Sequence, residues 1–134
     1  MTRMRLIFCA LLFTLFTVQG ADSDLAGTFT GQWKSNGESG GGAYSITLKP
    51  VAGGTWTADV SFNVAGEDIK AAVKEVKVTG TKLDIAYDFE TQGTGLKGTA
   101  TGELKGAVLA GTYQSLIPGG AAVDEGTWTA TRTK

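Results

Sequence analysis

The sequence contains no histidine, and its single cysteine, Cys9, lies in an apolar run near the N-terminus. Without an imidazole the chain cannot build Ser-His-Asp or Cys-His catalytic machinery, and one cysteine cannot form an internal disulfide. The 12 basic and 13 acidic side chains nearly cancel to a formal net charge of -1, which argues against a nucleic-acid partner. We therefore expect no enzyme, with no catalytic residues, no metal site and no cofactor.

Residues 1–20 have the three-part order of a secretory signal peptide. Two arginines precede an uncharged apolar run from Leu6 to Val18, and small residues follow it. The run is shorter than the roughly 20 residues that span a bilayer as a helix, so we expect no membrane span after leader removal. We predict an N-terminal signal helix cleaved after Gly20, with a retained anchor or a buried N-terminal helix as the alternatives. Residues 21–134 would then form a single domain that is secreted or periplasmic.

From Thr28 onward, apolar and polar residues alternate with a period of two, and glycine-rich turns separate the runs. This alternation is typical of half-buried antiparallel strands. It predicts an all-β fold, an antiparallel meander of about eight or nine short strands. The apolar faces can be buried in a sandwich or in a closed up-and-down barrel. Closure is favoured because it removes unpaired strand edges.

The segment 67–77 supports two interpretations. Ile69, Val73 and Val76 have the spacing of one helical face. The same residues fit strands whose parity shifts through a β-bulge before Val76. We favour strands because hairpin signals flank the segment and its β-branched residues cluster late.

The run from Leu96 to Leu104 has glycine at alternate positions of its apolar face. Gly98 and Gly102 flank Ala100 on that face. Glycine inside a strand is usually unfavourable, so its repetition predicts either sharp coiling of the strand or space for a group opposite.

Carboxylates are among the few catalytic side chains that remain. Asp84, Asp88 and Glu90 alternate with apolar residues and therefore face the same way in a strand. Because that face is opposite to the apolar one, we interpret it as a solvated surface and predict no metal there.

The first predicted strand carries Gly31-Gln32-Trp33, which resembles the G-x-W motif on the first strand of lipocalins and other calycins. In that family a basic residue near the end of the last strand packs across the tryptophan, and Arg132 occupies the corresponding position. The resemblance implies a calycin-like barrel with Gly31 and Arg132 in structural roles and a cation-π contact closing one end. The chain is also similar to small lipocalin-like domains of exported bacterial proteins.

Two functional hypotheses follow from this fold. In the first, the exported soluble barrel binds a small apolar or amphipathic ligand, and the small residues between Leu96 and Leu104 leave room for it. In the alternative, the interior is filled, and the surface or the glycine-rich loop Ser35–Gly42 binds an envelope protein or a glycan. The first hypothesis predicts a ligand-binding interior shaped by aromatic residues: Trp33, Tyr44, Trp56, Phe62, Tyr87, Phe89, Tyr113 and Trp128.

Overall fold

The computed structural model describes residues 25–38 and 40–133. The predicted signal peptide lies outside the described residues. Within this part of the chain, no helix is long and apolar enough to cross a bilayer. The nine strands of the described part are β1 Gly27–Ser35, β2 Gly41–Val51, β3 Thr55–Val64, β4 Glu67–Lys70, β5 Ala72–Thr79, β6 Lys82–Thr91, β7 Thr94–Lys105, β8 Val108–Leu116 and β9 Ala122–Arg132.

These strands form one antiparallel sheet in the order β4-β3-β2-β1-β9-β8-β7-β6-β5. Almost every neighbour in the sheet is also a neighbour in the chain, which confirms the predicted all-β meander. The exception is the pair β1 and β9, in which Trp33 lies opposite Trp128. This pairing joins the first strand to the last and makes the two halves of the meander one continuous sheet.

The segment 67–79 brings the two edges of the sheet together. Its first half, β4, pairs with β3, and its second half, β5, pairs with β6. Between them the amide of Ala71 donates a hydrogen bond of 2.9 Å to the carbonyl of Val60. Because one bent strand carries both edges, the sheet rolls into a nearly closed barrel. The strand interpretation of this segment is therefore confirmed, and the register shift between Val73 and Glu75 supplies the predicted bulge.

The alternation of the sequence is reproduced as an apolar interior and a polar exterior. Trp33 and Trp128 are buried at 8% and 1% exposure, and Trp56 is half-buried and packs against the same core. The acidic face of β6 lies outside, where Lys74 Nζ approaches Asp88 Oδ2 at 4.0 Å. An ion pair this exposed contributes little to stability.

The glycines of β7 are covered by aromatic rings. A Cβ added at Gly98 would lie 2.2 Å from Cε2 of Tyr87, and one at Gly102 would lie 2.7 Å from Cζ2 of Trp128. These positions therefore make space for a group opposite, as the sequence indicated. The expectation that this space is left for a ligand is wrong, because the protein's own rings occupy it.

One end of the barrel, which we call the closed end, is formed where β1 begins and β9 finishes. The Arg132 guanidinium lies 4.7 Å above the ring centre of Phe29, and its Nη1 donates a hydrogen bond of 2.6 Å to the carbonyl of Ala26. Four leucines at this end of the barrel are buried at 1% exposure or less: Leu25, Leu48, Leu83 and Leu109.

The expected contact between Arg132 and Trp33 is wrong. Arg132 lies directly opposite Phe29, whereas Trp33 is four residues farther along β1. That separation is about 13 Å along a strand, beyond the reach of the guanidinium. A cation-π contact does close this end of the barrel, but the strand register assigns it to Phe29.

Candidate functional site

The opposite end of the barrel, the cavity end, contains a cavity of about 180 Å³. Four connections meet here: those between β1 and β2, β3 and β4, β6 and β7, and β8 and β9. Two of them are tight turns with two positive φ angles each. The φ angles are 51° at Ala65 and 85° at Gly66 in one turn, and 52° at Gln92 and 80° at Gly93 in the other. Paired positive φ angles match the twist of the flanking strands and allow two-residue hairpin loops. These two connections therefore extend little beyond the ends of their strands.

Seven of the eight aromatic residues predicted for the interior line this cavity. Trp56 does not, because it lies six residues from Phe62 along β3, about 20 Å toward the closed end. The full lining comprises Trp33, Tyr44, Phe62, Val64, Tyr87, Phe89, Thr91, Leu96, Tyr113, Ser115, Val123, Asp124 and Trp128.

The aromatic lining is a continuous set of ring contacts. Phe62 is central, with ring centres 5.1 Å from Phe89, 6.0 Å from Tyr87 and 6.4 Å from Tyr44. Tyr44 continues the set to Trp128 at 5.0 Å. These separations lie in the range that aromatic pairs favour, so each ring fixes the orientation of the next.

A further ring pair lies beside the loop that joins β1 to β2. Trp33 and Tyr113 meet edge to face, with ring centres 5.9 Å apart and an interplanar angle of 87°.

The N–H groups of both cavity-lining indoles donate hydrogen bonds to backbone carbonyls. Trp33 Nε1 donates to the Asn63 carbonyl at 2.9 Å, and Trp128 Nε1 donates to the Thr112 carbonyl at 3.2 Å. The indoles therefore present ring surface to the cavity while their donors are occupied.

Asp124 is the polar centre of the site. Its Oδ1 accepts a hydrogen bond of 2.5 Å from Ser35 Oγ, and its Oδ2 accepts one of 2.9 Å from the Tyr113 hydroxyl. The amide of Gly37 donates to Ser35 Oγ at 2.9 Å, which orients the serine hydroxyl toward the carboxylate. Burial, followed by the hydrogen bond to Asp124, raises the pKa of Tyr113, so its phenol remains a donor to the carboxylate.

Gly126 makes this arrangement possible. A Cβ at this position would lie 2.8 Å from Cε1 of Tyr113 and 2.0 Å from the carbonyl oxygen of Lys34. Any side chain on Gly126 would therefore displace the tyrosine that donates to Asp124.

Sequence reasoning missed Asp124 and used Ser35 only as the start of a loop. Both belong to interior faces, because Ser35 shares the parity of Trp33 and Asp124 shares that of Trp128. Extending the alternation by one inward position after Trp33, and by two before Trp128, would have found them. The loop itself is shorter than expected: β1 includes Ser35 and β2 begins at Gly41, and the Ser35 amide bonds to the Gly40 carbonyl at 2.8 Å.

Two buried hydroxyl oxygens in the described part of the chain lack a hydrogen-bond partner, and both belong to residues that line the cavity. They are Tyr44 Oη and Thr91 Oγ1. Burial raises the pKa of Tyr44 well above its ordinary value and that of Tyr87 to about 12, so both phenols are neutral at physiological pH. Unpaired buried hydroxyls are rare in folded proteins, and these two belong to residues of the same cavity.

Charge is unevenly distributed in the lining. Among the residues that the structure describes, Asp124 is the only acidic residue of the lining, and no lysine or arginine contributes to it. The rings of the site can therefore bind apolar groups. Its oxygen atoms can bind hydrogen-bond donors or cations.

No protein-family model matches the chain, and neither the curated proteins nor the solved structures contain a match.

Proposed function

We propose that the cavity end of the barrel binds a small apolar or amphipathic molecule. The observation that carries this proposal is an unfilled volume of about 180 Å³ inside a wall of seven aromatic side chains. An engineered cavity of about 150 Å³ in another protein binds benzene, so this volume suits one ring or a short branched alkyl group. Pockets for whole drug-sized ligands are larger, at about 300 Å³ or more. A larger ligand would therefore insert only its apolar end.

The contrast between the two ends of the barrel supports this proposal. At the closed end, the interior is occupied by packed leucines and by the Arg132 contact with Phe29. At the cavity end, bulky rings meet one another without filling the space between them. We further propose that the barrel is calycin-like and acts after export, in the periplasm or outside the cell, as the leader-like N-terminal sequence favours.

The alternative is an interaction domain whose surface binds an envelope protein or a glycan. Its support is the region around the connection between β8 and β9, where Ile117 in the connection and Val123 at the start of β9 are 37% and 53% exposed. Exposed aliphatic residues at scattered positions are normal in proteins, and a large contiguous patch would be needed to mark an interface. We therefore rank ligand binding first.

Titration with toluene and with hexanol, followed by tryptophan fluorescence, tests the proposal. Trp33 and Trp128 line the cavity and Trp56 does not, so the Trp56→Phe variant should retain a saturable change in fluorescence. The Ser115→Leu variant places extra apolar volume in the cavity and should weaken binding by on the order of tenfold. Circular dichroism would verify that both variants are folded. A fluorescence signal from the native protein that never saturates would refute the proposal.

A further inference from the structure

We propose that the ligand of this cavity is an organic cation, in which an alkylated ammonium group is enclosed by the aromatic rings and faces Asp124. This inference rests on the proposed function and narrows its ligand class. It excludes the anionic amphiphiles, such as fatty acids, that a purely apolar cavity would accept equally well.

The first support is the sign of the charge in the cavity. Within residues 25–38 and 40–133, Asp124 is the only formally charged residue of the lining. Its two oxygens each accept one hydrogen bond, from Ser35 and from Tyr113, and each carboxylate oxygen has a second lone pair. Both bonds leave the negative charge in place, since the partners are neutral hydroxyls. A cation beside Asp124 would be attracted, and an anion would be repelled without any basic side chain to compensate.

The second support is the aromatic lining. The face of an aromatic ring carries negative electrostatic potential, and ammonium groups bind ring faces within about 6 Å. Cages of several aromatic rings are the usual protein sites for quaternary ammonium groups. Here the contacts from Trp128 through Tyr44 and Phe62 to Phe89 supply a continuous wall of such rings.

The third support is the identity of the unused polar atoms. The two indole N–H groups of the lining are committed to backbone carbonyls. The buried atoms without partners are hydroxyl oxygens, on Tyr44 and Thr91. The lone pairs of these hydroxyl oxygens can contact an ammonium group or its polarised methyl groups, and they add to the negative potential beside Asp124.

The size of the cavity agrees with this class of ligand. A trimethylammonium group has fewer non-hydrogen atoms than a benzene ring, and a cavity of about 150 Å³ accepts benzene. The volume of about 180 Å³ therefore admits the cationic head, while the rest of a longer molecule stays at the mouth of the barrel.

Calorimetric titration of the native protein with three probes of matched shape tests the inference. The probes are choline, its uncharged carbon isostere 3,3-dimethylbutan-1-ol, and the anion 3,3-dimethylbutanoate. We expect choline to bind about tenfold more tightly than the alcohol, because cation-π attraction and the carboxylate act only on the cation. The anion should bind more weakly than both.

Two variants on neighbouring positions of β9 separate charge from structure. Asp124→Asn removes the charge and keeps one of the two acceptor oxygens, so it should abolish most of the preference for choline over the alcohol. Glu125→Gln removes a charge from the outer face, where Gln114 Nε2 lies 3.5 Å from Glu125 Oε2, and should change neither affinity. A structural defect in the first variant would weaken both ligands together.

The outcomes distinguish the two proposals. Equal affinity for choline and the alcohol, or tighter binding of the anion, would overturn the inference and leave apolar-ligand binding intact. Failure of choline, the alcohol and toluene to bind the native protein would overturn both. The comparison among probes requires only the native protein, so it remains decisive even if Asp124→Asn does not fold.

Discussion

Removing the hydroxyl of Tyr44 should make the protein more stable. Tyr44 is 5% exposed, and its hydroxyl has no hydrogen-bond partner among the residues that the structure describes. The Tyr44→Phe substitution keeps the ring contacts with Trp128 and Phe62 and deletes only the unpaired polar atom. The matched control is Tyr113→Phe, which deletes a hydroxyl of the same kind that does have a partner, the carboxylate of Asp124.

The two substitutions should change the free energy of unfolding in opposite directions. A buried hydroxyl without a partner costs about 1–3 kcal/mol, so Tyr44→Phe should raise the free energy of unfolding by about 1–2 kcal/mol. A hydrogen bond to a charged group contributes about 1.5–3 kcal/mol, and partial exposure of Tyr113 places its loss near the lower end. Tyr113→Phe should therefore lower the free energy of unfolding by about 1–2 kcal/mol.

Urea unfolding of both variants and of the native protein, followed by circular dichroism, measures these changes. In a domain of this size, 1 kcal/mol corresponds to a shift of roughly 4 °C in Tm, so thermal melts give an independent reading. A Tyr44→Phe variant that is destabilised as much as Tyr113→Phe would refute the reasoning, since it would mean that the Tyr44 hydroxyl is satisfied in the folded protein.

Gly98→Ala should lower the free energy of unfolding by about 1–3 kcal/mol, because its Cβ would lie 2.2 Å from the Tyr87 ring. Gly95→Ala on the same strand is the control: a Cβ there has no neighbour within 4 Å, so urea unfolding should detect a change within about 0.5 kcal/mol, and equal effects would contradict the ring-over-glycine packing. Stability should also fall as pH rises from 10 through about 12, because burial raises the pKa of Tyr87 to about 12 and the unfolded chain loses that proton first. Tyr44 and Tyr113, whose pKa values are also raised, contribute to the same loss, so urea unfolding across this range should show a loss that is smaller in Tyr87→Phe by on the order of 2 kcal/mol. Identical slopes in the two proteins would contradict the role of Tyr87.

Alternation of residue types was a reliable guide to the fold because parity in a strand is a local property. Each strand places successive side chains on opposite faces, and a shift by one residue would expose the whole apolar set. The sequence could therefore predict the meander, the inward direction of Trp33 and Trp128, and the bulged strand near Val76. The same argument failed at strand ends, where the inward positions Ser35 and Asp124 are polar.

Contacts between strands distant in sequence could not be predicted in this way. The aromatic partner of Arg132 depends on the register between β1 and β9. In the observed register Arg132 lies opposite Phe29, four residues before the expected partner Trp33. The space above Gly102 is filled because the ring of Trp128, from the last strand, covers it. Register depends on turn lengths and on the fit of many side chains, so it belongs to the assembled sheet.

By itself, the sequence determined the chemistry available to this protein and the face on which each side chain lies. It has no histidine and nearly balanced charge, and its period-two pattern requires a sheet with one apolar side. Only the tertiary structure decided that one end of the barrel packs solidly while the other keeps a cavity beside Asp124. The physical reason is that packing density depends on which rings and which glycines meet across the barrel, and those partners come from strands far apart in the chain.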